Sequence, residues 1–134
     1  MATHIETEKV NCQQPAEKLY NFLTDFNNFK ALMPPQVSNW QSTADTCTFT
    51  INNMATVGMK IESKTPHSKI HIVSDGGKVP FSFTLDVLIT SVDDSNSIGQ
   101  LVFDADIPIF IRPMVEGPLT NFFNLLAKKM ADIK

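Results

Sequence analysis

Pro113-Met-Val-Glu-Gly-Pro-Leu-Thr-Asn-Phe-Phe-Asn-Leu-Leu-Ala-Lys-Lys-Met-Ala-Asp-Ile133 is the stretch that decides the fold. Val115, Leu119, Phe122, Leu126, Met130 and Ile133 recur at steps of three and four, the period of one helix face. Phe123 and Ala127 widen that face on one flank and Leu125 on the other. The apolar arc therefore exceeds the roughly 100° stripe of an ordinary surface helix. A helix apolar over about half its circumference needs an element that wraps it, and a curved sheet does so. Gly117-Pro118 interrupts the stretch, because proline cannot donate to the helical ladder and its ring crowds the carbonyl of Met114. A kink or the true helix start is expected there. Val115 and Leu119 keep phase across it, which favours the kink and leaves Leu119 to Met130 as the gripped segment.

Outward from this helix, the chain supplies mostly strands. Ala55, Val57, Met59 and Ile61 alternate with Thr56, Gly58, Lys60 and Glu62. Phe81, Phe83, Leu85, Val87 and Ile89 do the same within Val79 to Val92, and Leu101, Phe103, Ala105 and Ile107 within Gly99 to Ile107. One apolar and one polar face along successive strands describes a sheet wet on one side. Val37 to Ser42 and Cys47 to Ile51 flank Thr43-Ala44-Asp45-Thr46, a hairpin connection. Asn52-Asn53, Thr65-Pro66-His67-Ser68, Asp75-Gly76-Gly77 and Asp93-Asp94-Ser95-Asn96 read as the remaining turns. Upstream, Ile5 to Val10 is a half-exposed first strand. Pro15 opens a helix reaching Leu23, and Asn27 to Leu32 forms a second short helical turn ended by Met33-Pro34-Pro35. The fold class is α+β: about seven antiparallel strands around a long C-terminal helix, with two short helices after the first strand.

All 134 residues are read as a single domain, 1–134, long enough to bury a core without staples. A net charge of −3 and scattered Lys and Arg argue against a nucleic-acid binder. Lys128-Lys129 suits the negative end of the helix dipole. Cys12 and Cys47 belong to no metal-binding motif, the start carries no signal peptide, and no apolar run approaches a membrane span. Cytoplasmic residence with reduced thiols is the expectation.

The order of elements resembles the helix-grip fold of the START-like and birch-pollen-allergen superfamily (SRPBCC), which also includes polyketide cyclases. The resemblance spans the chain and is carried by its N-terminal block: a strand ending near Val10, Pro15-Ala16-Glu17-Lys18-Leu19-Tyr20, Phe22-Leu23-Thr24-Asp25, Asn27 and Leu32-Met33-Pro34. Members commonly show a Pro-(Ser/Ala)-Glu helix start and an Asp at that helix's end, and small bacterial members are the nearest in pattern. The resemblance implies a cavity between the sheet and the C-terminal helix that holds lipids, sterols, polyketides or other apolar molecules. The residues read as its lining are Trp40, Phe49, Met54, Met59, Phe81, Phe83, Phe103, Phe110, Met114 and Phe122, with Phe110 to Pro118 at its mouth.

No phosphate-binding, zinc-protease, serine-hydrolase or EF-hand pattern is present, and no cofactor or metal is called for. His4, His67 and His71 are not at ligand spacing, and His71 faces water if Ile70 and Ile72 line the interior. Glu6/Glu8 and Asp104/Asp106 are same-face pairs that read as solvated outer face, with a hard-cation patch as the competing reading. Three functions stay open. The first is non-catalytic binding or carriage of an apolar, lipid-like small molecule. The second is a cyclase- or hydrolase-type enzyme drawing on Tyr20, Asp25, His71 or Arg112. The third is a protein-interaction module or homodimer using the apolar run Ile107 to Met114.

Overall fold

A computed structural model of the chain describes residues 3–33, 35, 37–51, 55–77, 82–110 and 112–132. Among the described residues, eight strands form one antiparallel sheet. They are β1 Thr3–Glu6, β2 Val10–Cys12, β3 Val37–Ser42, β4 Thr46–Ile51, β5 Ala55–Thr65, β6 Lys69–Gly77, β7 Phe83–Ser91 and β8 Ser97–Ala105. Helices α1 Ala16–Leu23 and α2 Phe26–Phe29, with a 3-10 turn at Lys30–Leu32, follow β2, and α3 Arg112–Ala131 follows β8. The strand order is β1-β8-β7-β6-β5-β4-β3, with β2 also on β8. Strands β3 to β8 are thus a meander of consecutive neighbours, and only the first two strands cross the fold to join the last.

The two-residue period sorts the side chains as expected. Phe83, Leu85, Val87 and Ile89 of β7 are buried and sit opposite Ala105, Phe103, Leu101 and Gly99 of β8. Ile70 and Ile72 of β6 and Cys47, Phe49 and Ile51 of β4 continue the same inner face. Helix α1 buries Ala16, Leu19, Tyr20 and Leu23 and packs on β7 and β8. Asp25 ends α1 and caps α2 by accepting from the Asn27 amide at 2.9 Å.

Helix α3 starts at Arg112 and runs through Pro118 to Ala131. Pro113 falls in the first turn, where a missing N–H costs nothing. Thr120 donates its hydroxyl to the Glu116 carbonyl at 2.7 Å, a back-bond that with Pro118 favours bending. Phe122, Phe123, Leu126, Ala127 and Met130 are buried, whereas Leu125 on the expected flank is 40% exposed. Met130 seats the far end of the helix against the sheet at Gly99: a Cβ there would lie 2.5 Å from Met130 Cε. A larger residue there would make the flexible end of Met130 shift.

Two expectations are corrected. The stretch Ile5 to Val10 is not one strand: β1 ends at Glu6 and β2 begins at Val10. At the break, Thr7 turns its side chain into the ladder. Its Oγ1 accepts from the Leu101 amide at 3.0 Å, while its own amide donates to the Leu101 carbonyl and its carbonyl accepts from Gln100 Nε2. A side-chain oxygen replaces a backbone one, so both strands stay on β8. Thr7→Val should lower stability by about 1–3 kcal/mol by orphaning the buried Leu101 amide, and Thr7→Ser should restore most of it. Urea unfolding midpoints of the three proteins check this.

The second correction concerns Asp75-Gly76-Gly77, which is not a turn but the end of β6, with Gly77 opposite Val57. The β5–β6 register shifts between Val57 and Met59, and a bulge is a place where glycine is at home.

Candidate functional site

The contact between the inner face of the sheet and α3 is the candidate site. Among element pairs in close backbone approach, α3 meets β2, β8 and the 3-10 turn. It reaches β4 through side chains. Here five of the residues expected to line a cavity come together with Phe123 as one row of rings. Trp40 of β3 stacks on Phe49 of β4 at 5.3 Å between centroids, and Phe49 on Phe122 of α3 at 6.0 Å. Phe122 meets Phe123 edge-on at 5.1 Å, Phe123 meets Phe103 of β8 at 4.7 Å, and Phe103 meets Phe83 of β7 at 5.3 Å. Each such pair contributes about 0.5–1.5 kcal/mol beyond burial of its area.

The row starts at a distortion in β3. Asn39 adopts φ 55°, and the β3–β4 register shifts between Ser38 and Gln41. The extra residue puts Trp40 over Phe49 while Ser38 and Gln41 sit opposite Thr50 and Thr48. The Trp40 indole N–H donates to Ser42 Oγ at 3.0 Å, and that hydroxyl donates to Asn27 Oδ1 at 2.7 Å. Period-two reasoning alone misses this. Asn within a strand pattern is the one sequence signal for it, because asparagine tolerates positive φ.

Met59, also expected at the site, is buried on β5 opposite Cys47. Phe110 does not line the interior: it is 80% exposed and Ile109 77%, in the loop that leads into α3. Its neighbour Ile107 is buried and claims the inward position instead. Met54 and Phe81 lie outside the described residues, as does the side chain of Met114. Phe123, on one flank of the apolar helical face and read as pointing inward, also belongs to the row. An open depression of about 240 Å³ lies at the end of β7 and β8, lined by Ser82, Phe83, Thr84, Asp104, Ala105 and Asp106, so that Phe83 belongs to both it and the row.

The polar candidates do not converge. Tyr20 packs edge-on against His67 at 5.5 Å, and Asp25 caps α2. His71 lies on the outer face between buried Ile70 and Ile72, with Nδ1 2.5 Å from Asp86 and Nε2 3.7 Å from Glu62. Arg112 donates from Nη2 to the Ile107 carbonyl at 3.0 Å, and its Nε lies 3.4 Å from Glu116. Glu116 in turn accepts from Thr3 Oγ1 at 3.1 Å, which ties the start of α3 to β1.

The carboxylate pairs prove to be outer face. Asp104 sits opposite His4, whose Nδ1 is 2.5 Å from it and whose Nε2 is 3.1 Å from Glu6. Glu8 and Asp106 are exposed outside the strands. Among the described residues, no cluster of three or more His, Cys, Asp or Glu is arranged to hold a metal ion. The hydrogen bonds to Asp104 and then Glu6 raise the His4 pKa above its usual value. A raised folded-state pKa means the cation stabilises the fold. That stabilisation is complete below the unfolded value near 6.5 and is lost as pH rises through the folded value. Urea midpoints of the native chain should therefore fall relative to His4→Gln between about pH 6 and pH 8, whereas equal slopes would show that the contacts carry no linkage.

No protein-family model matches the sequence. No curated protein matches it. Solved structures do match. A START superfamily protein from Mycobacterium smegmatis aligns at TM-score 0.73 and 13% identity, over 96% of this chain and 94% of that one. A protein from Thermus thermophilus aligns at TM-score 0.76 and 14% identity, over 97% and 95%. Norcoclaurine synthase from Thalictrum flavum, in complex with dopamine and hydroxybenzaldehyde, aligns at TM-score 0.70 and 10% identity, over 100% and 89%. With its antiparallel sheet holding one long C-terminal helix on its inner face, the chain has the START-like helix-grip fold.

Proposed function

We propose that the protein binds an apolar small molecule between the sheet and α3. The observation that carries this reading is the row Trp40–Phe49–Phe122–Phe123–Phe103–Phe83, which runs from sheet to helix and back. Sites for small molecules are mostly apolar and aromatic with few polar groups, and this row fits that description. The shared fold adds support, since norcoclaurine synthase holds two small aromatic compounds. Binding or carriage is favoured over catalysis because Tyr20, Asp25, His71 and Arg112 each have their own separate partners. Both cysteines are free and buried, in keeping with work in the cytoplasm, and no helix among the described residues is long and apolar enough to cross a membrane.

The test is native mass spectrometry of the purified chain together with thermal shifts across a panel of apolar compounds. A retained ligand or a class-specific shift is expected. No response in either measurement removes the reading.

A second reading is favoured by the neighbouring exposed side chains Ile109 and Phe110. Two large apolar groups side by side on a loop fit contact with a second copy or another protein. Light scattering should then show a dimer that Ile109→Ser/Phe110→Ser dissociates; a monomer at all concentrations counts against self-association.

A further inference from the structure

We infer that two copies of this chain pair about a two-fold axis, each seating Phe110, with Ile109 beside it, in the other's depression at the end of β7 and β8. The pairing rests on the reading of Ile109 and Phe110 as contact residues, and it adds the partner and the surface that receives them. At 77% and 80%, these two are the most exposed of the large apolar side chains among the described residues. A phenyl ring in water with an isoleucine next to it forms an apolar projection that burial would stabilise.

The projection is braced. Ile107 is buried and fixes the start of the turn. The Arg112 amide donates to the Pro108 carbonyl at 3.1 Å, and Arg112 Nη2 donates to the Ile107 carbonyl at 3.0 Å. The first residue of α3 thus closes the turn with both its backbone and its side chain. On the other side, the Asp106 amide donates to the Ser82 carbonyl at 3.3 Å, which fastens the loop to the rim of the depression. Side chains held at the tip of a pinned turn lose less freedom on docking than those on a slack loop.

The receiving surface lies at the same end of the molecule. Phe83 and Ala105, opposite each other in the β7–β8 ladder, supply apolar groups to the depression. At about 240 Å³ it is smaller than the roughly 300–1,000 Å³ of a pocket for a drug-sized molecule, so it suits one aromatic side chain better than a whole ligand. Asp106 belongs both to its lining and to the loop, so projection and depression lie within about 15 Å of each other along the chain. A surface carrying both is self-complementary, and two-fold symmetry makes both contacts at once and closes the assembly. One phenyl ring buries on the order of 150–250 Å². Two rings with their flanking isoleucines therefore make an interface at the low end of specific ones, below about 1,200 Å² in total. Such a dimer is weak and exchanges with monomer.

Sedimentation velocity of the full chain over a concentration series tests the pairing, with circular dichroism as the check on each variant's fold. The native chain is expected to show a concentration-dependent dimer. Phe110→Ser removes the projection. Thr84→Trp fills the depression from a half-buried position on β7, and Ser82→Trp fills it from an exposed one if the first does not fold. Each variant alone loses both contacts and should dimerise at least about tenfold more weakly. An equimolar mixture of Phe110→Ser with a tryptophan variant still offers one Phe110 to one open depression, so it should associate more tightly than either variant alone. A dimer weakened by Phe110→Ser but not by the tryptophan variants, or a mixture without recovery, overturns the inference and leaves Ile109 and Phe110 as contact residues for another surface. A dimer untouched by Phe110→Ser overturns both. A native chain that stays monomeric throughout overturns the pairing and leaves the two side chains to a different protein.

Discussion

Ile72→Lys should leave the chain unfolded at room temperature, while His71→Lys one residue away should fold with nearly native stability. Ile72 is fully buried on β6, registered between Ile61 of β5 and Leu85 of β7. The substitution discards about 1.5–3 kcal/mol of side-chain burial. It also places an ammonium among apolar neighbours, at a further cost of several kcal/mol if it stays charged. The sum approaches the whole stability of an ordinary domain, about 5–15 kcal/mol. His71 points the other way, towards Asp86 and Glu62. A lysine there exchanges one partly exposed contact for another and should change stability by less than about 1 kcal/mol. Far-UV circular dichroism and urea unfolding of both variants decide the matter. A native, cooperative transition for Ile72→Lys would show that the faces of β6 are assigned the wrong way round.

Phe122→Ala comes next in size, with an expected loss of about 3–5 kcal/mol. Phe122 is 2% exposed and lies where the row passes from sheet to helix, between Phe49 and Phe123. Truncation removes two ring contacts and opens a cavity that the neighbouring rings cannot fill without leaving their rotamers. At a few degrees per kcal/mol for a domain of this size, the melting temperature should fall by about 10 °C. Leu125→Ala on the exposed side of the same helix is the comparison and should cost under about 1 kcal/mol. Equal losses at the two positions would mean that α3 is not gripped along the face described.

The fold was largely legible because two periodicities carry it. Alternation named the inward sets of β7 and β8, and the three-four recurrence named Phe122, Leu126 and Met130. Where reading failed, a local exception had overridden the period. Thr7 can substitute for a ladder acceptor only because Leu101, far away in sequence, presents an amide to it. The glycines at 76 and 77 have the composition of a tight turn, yet the β5–β6 ladder continues to Gly77. Five rings of the row were legible as apolar groups on inward faces, but their joining into a row was not, since it depends on the bulge at Asn39 and on the approach of α3 to β4. Phe110 was misplaced because an apolar run at a strand–helix junction does not say which member turns inward; Ile107 does.

The pairing of β1 and β2 with β8 also sets a schedule for the chain as it leaves the ribosome. Strands β4 to β8 each find a partner in the strand made just before, so the meander can assemble as it emerges. His4 must wait for Asp104, 100 residues later in the sequence. At about 5–20 residues per second, that is a delay of roughly 5–20 s. Once β7 is made, its edge stays open until β8 follows, and the inner face stays uncovered until α3 has emerged, so the nascent chain then offers an unpaired strand and an uncovered apolar sheet together. Slowing translation after β7 should therefore raise aggregation during synthesis, whereas a pause after α3 has emerged should not.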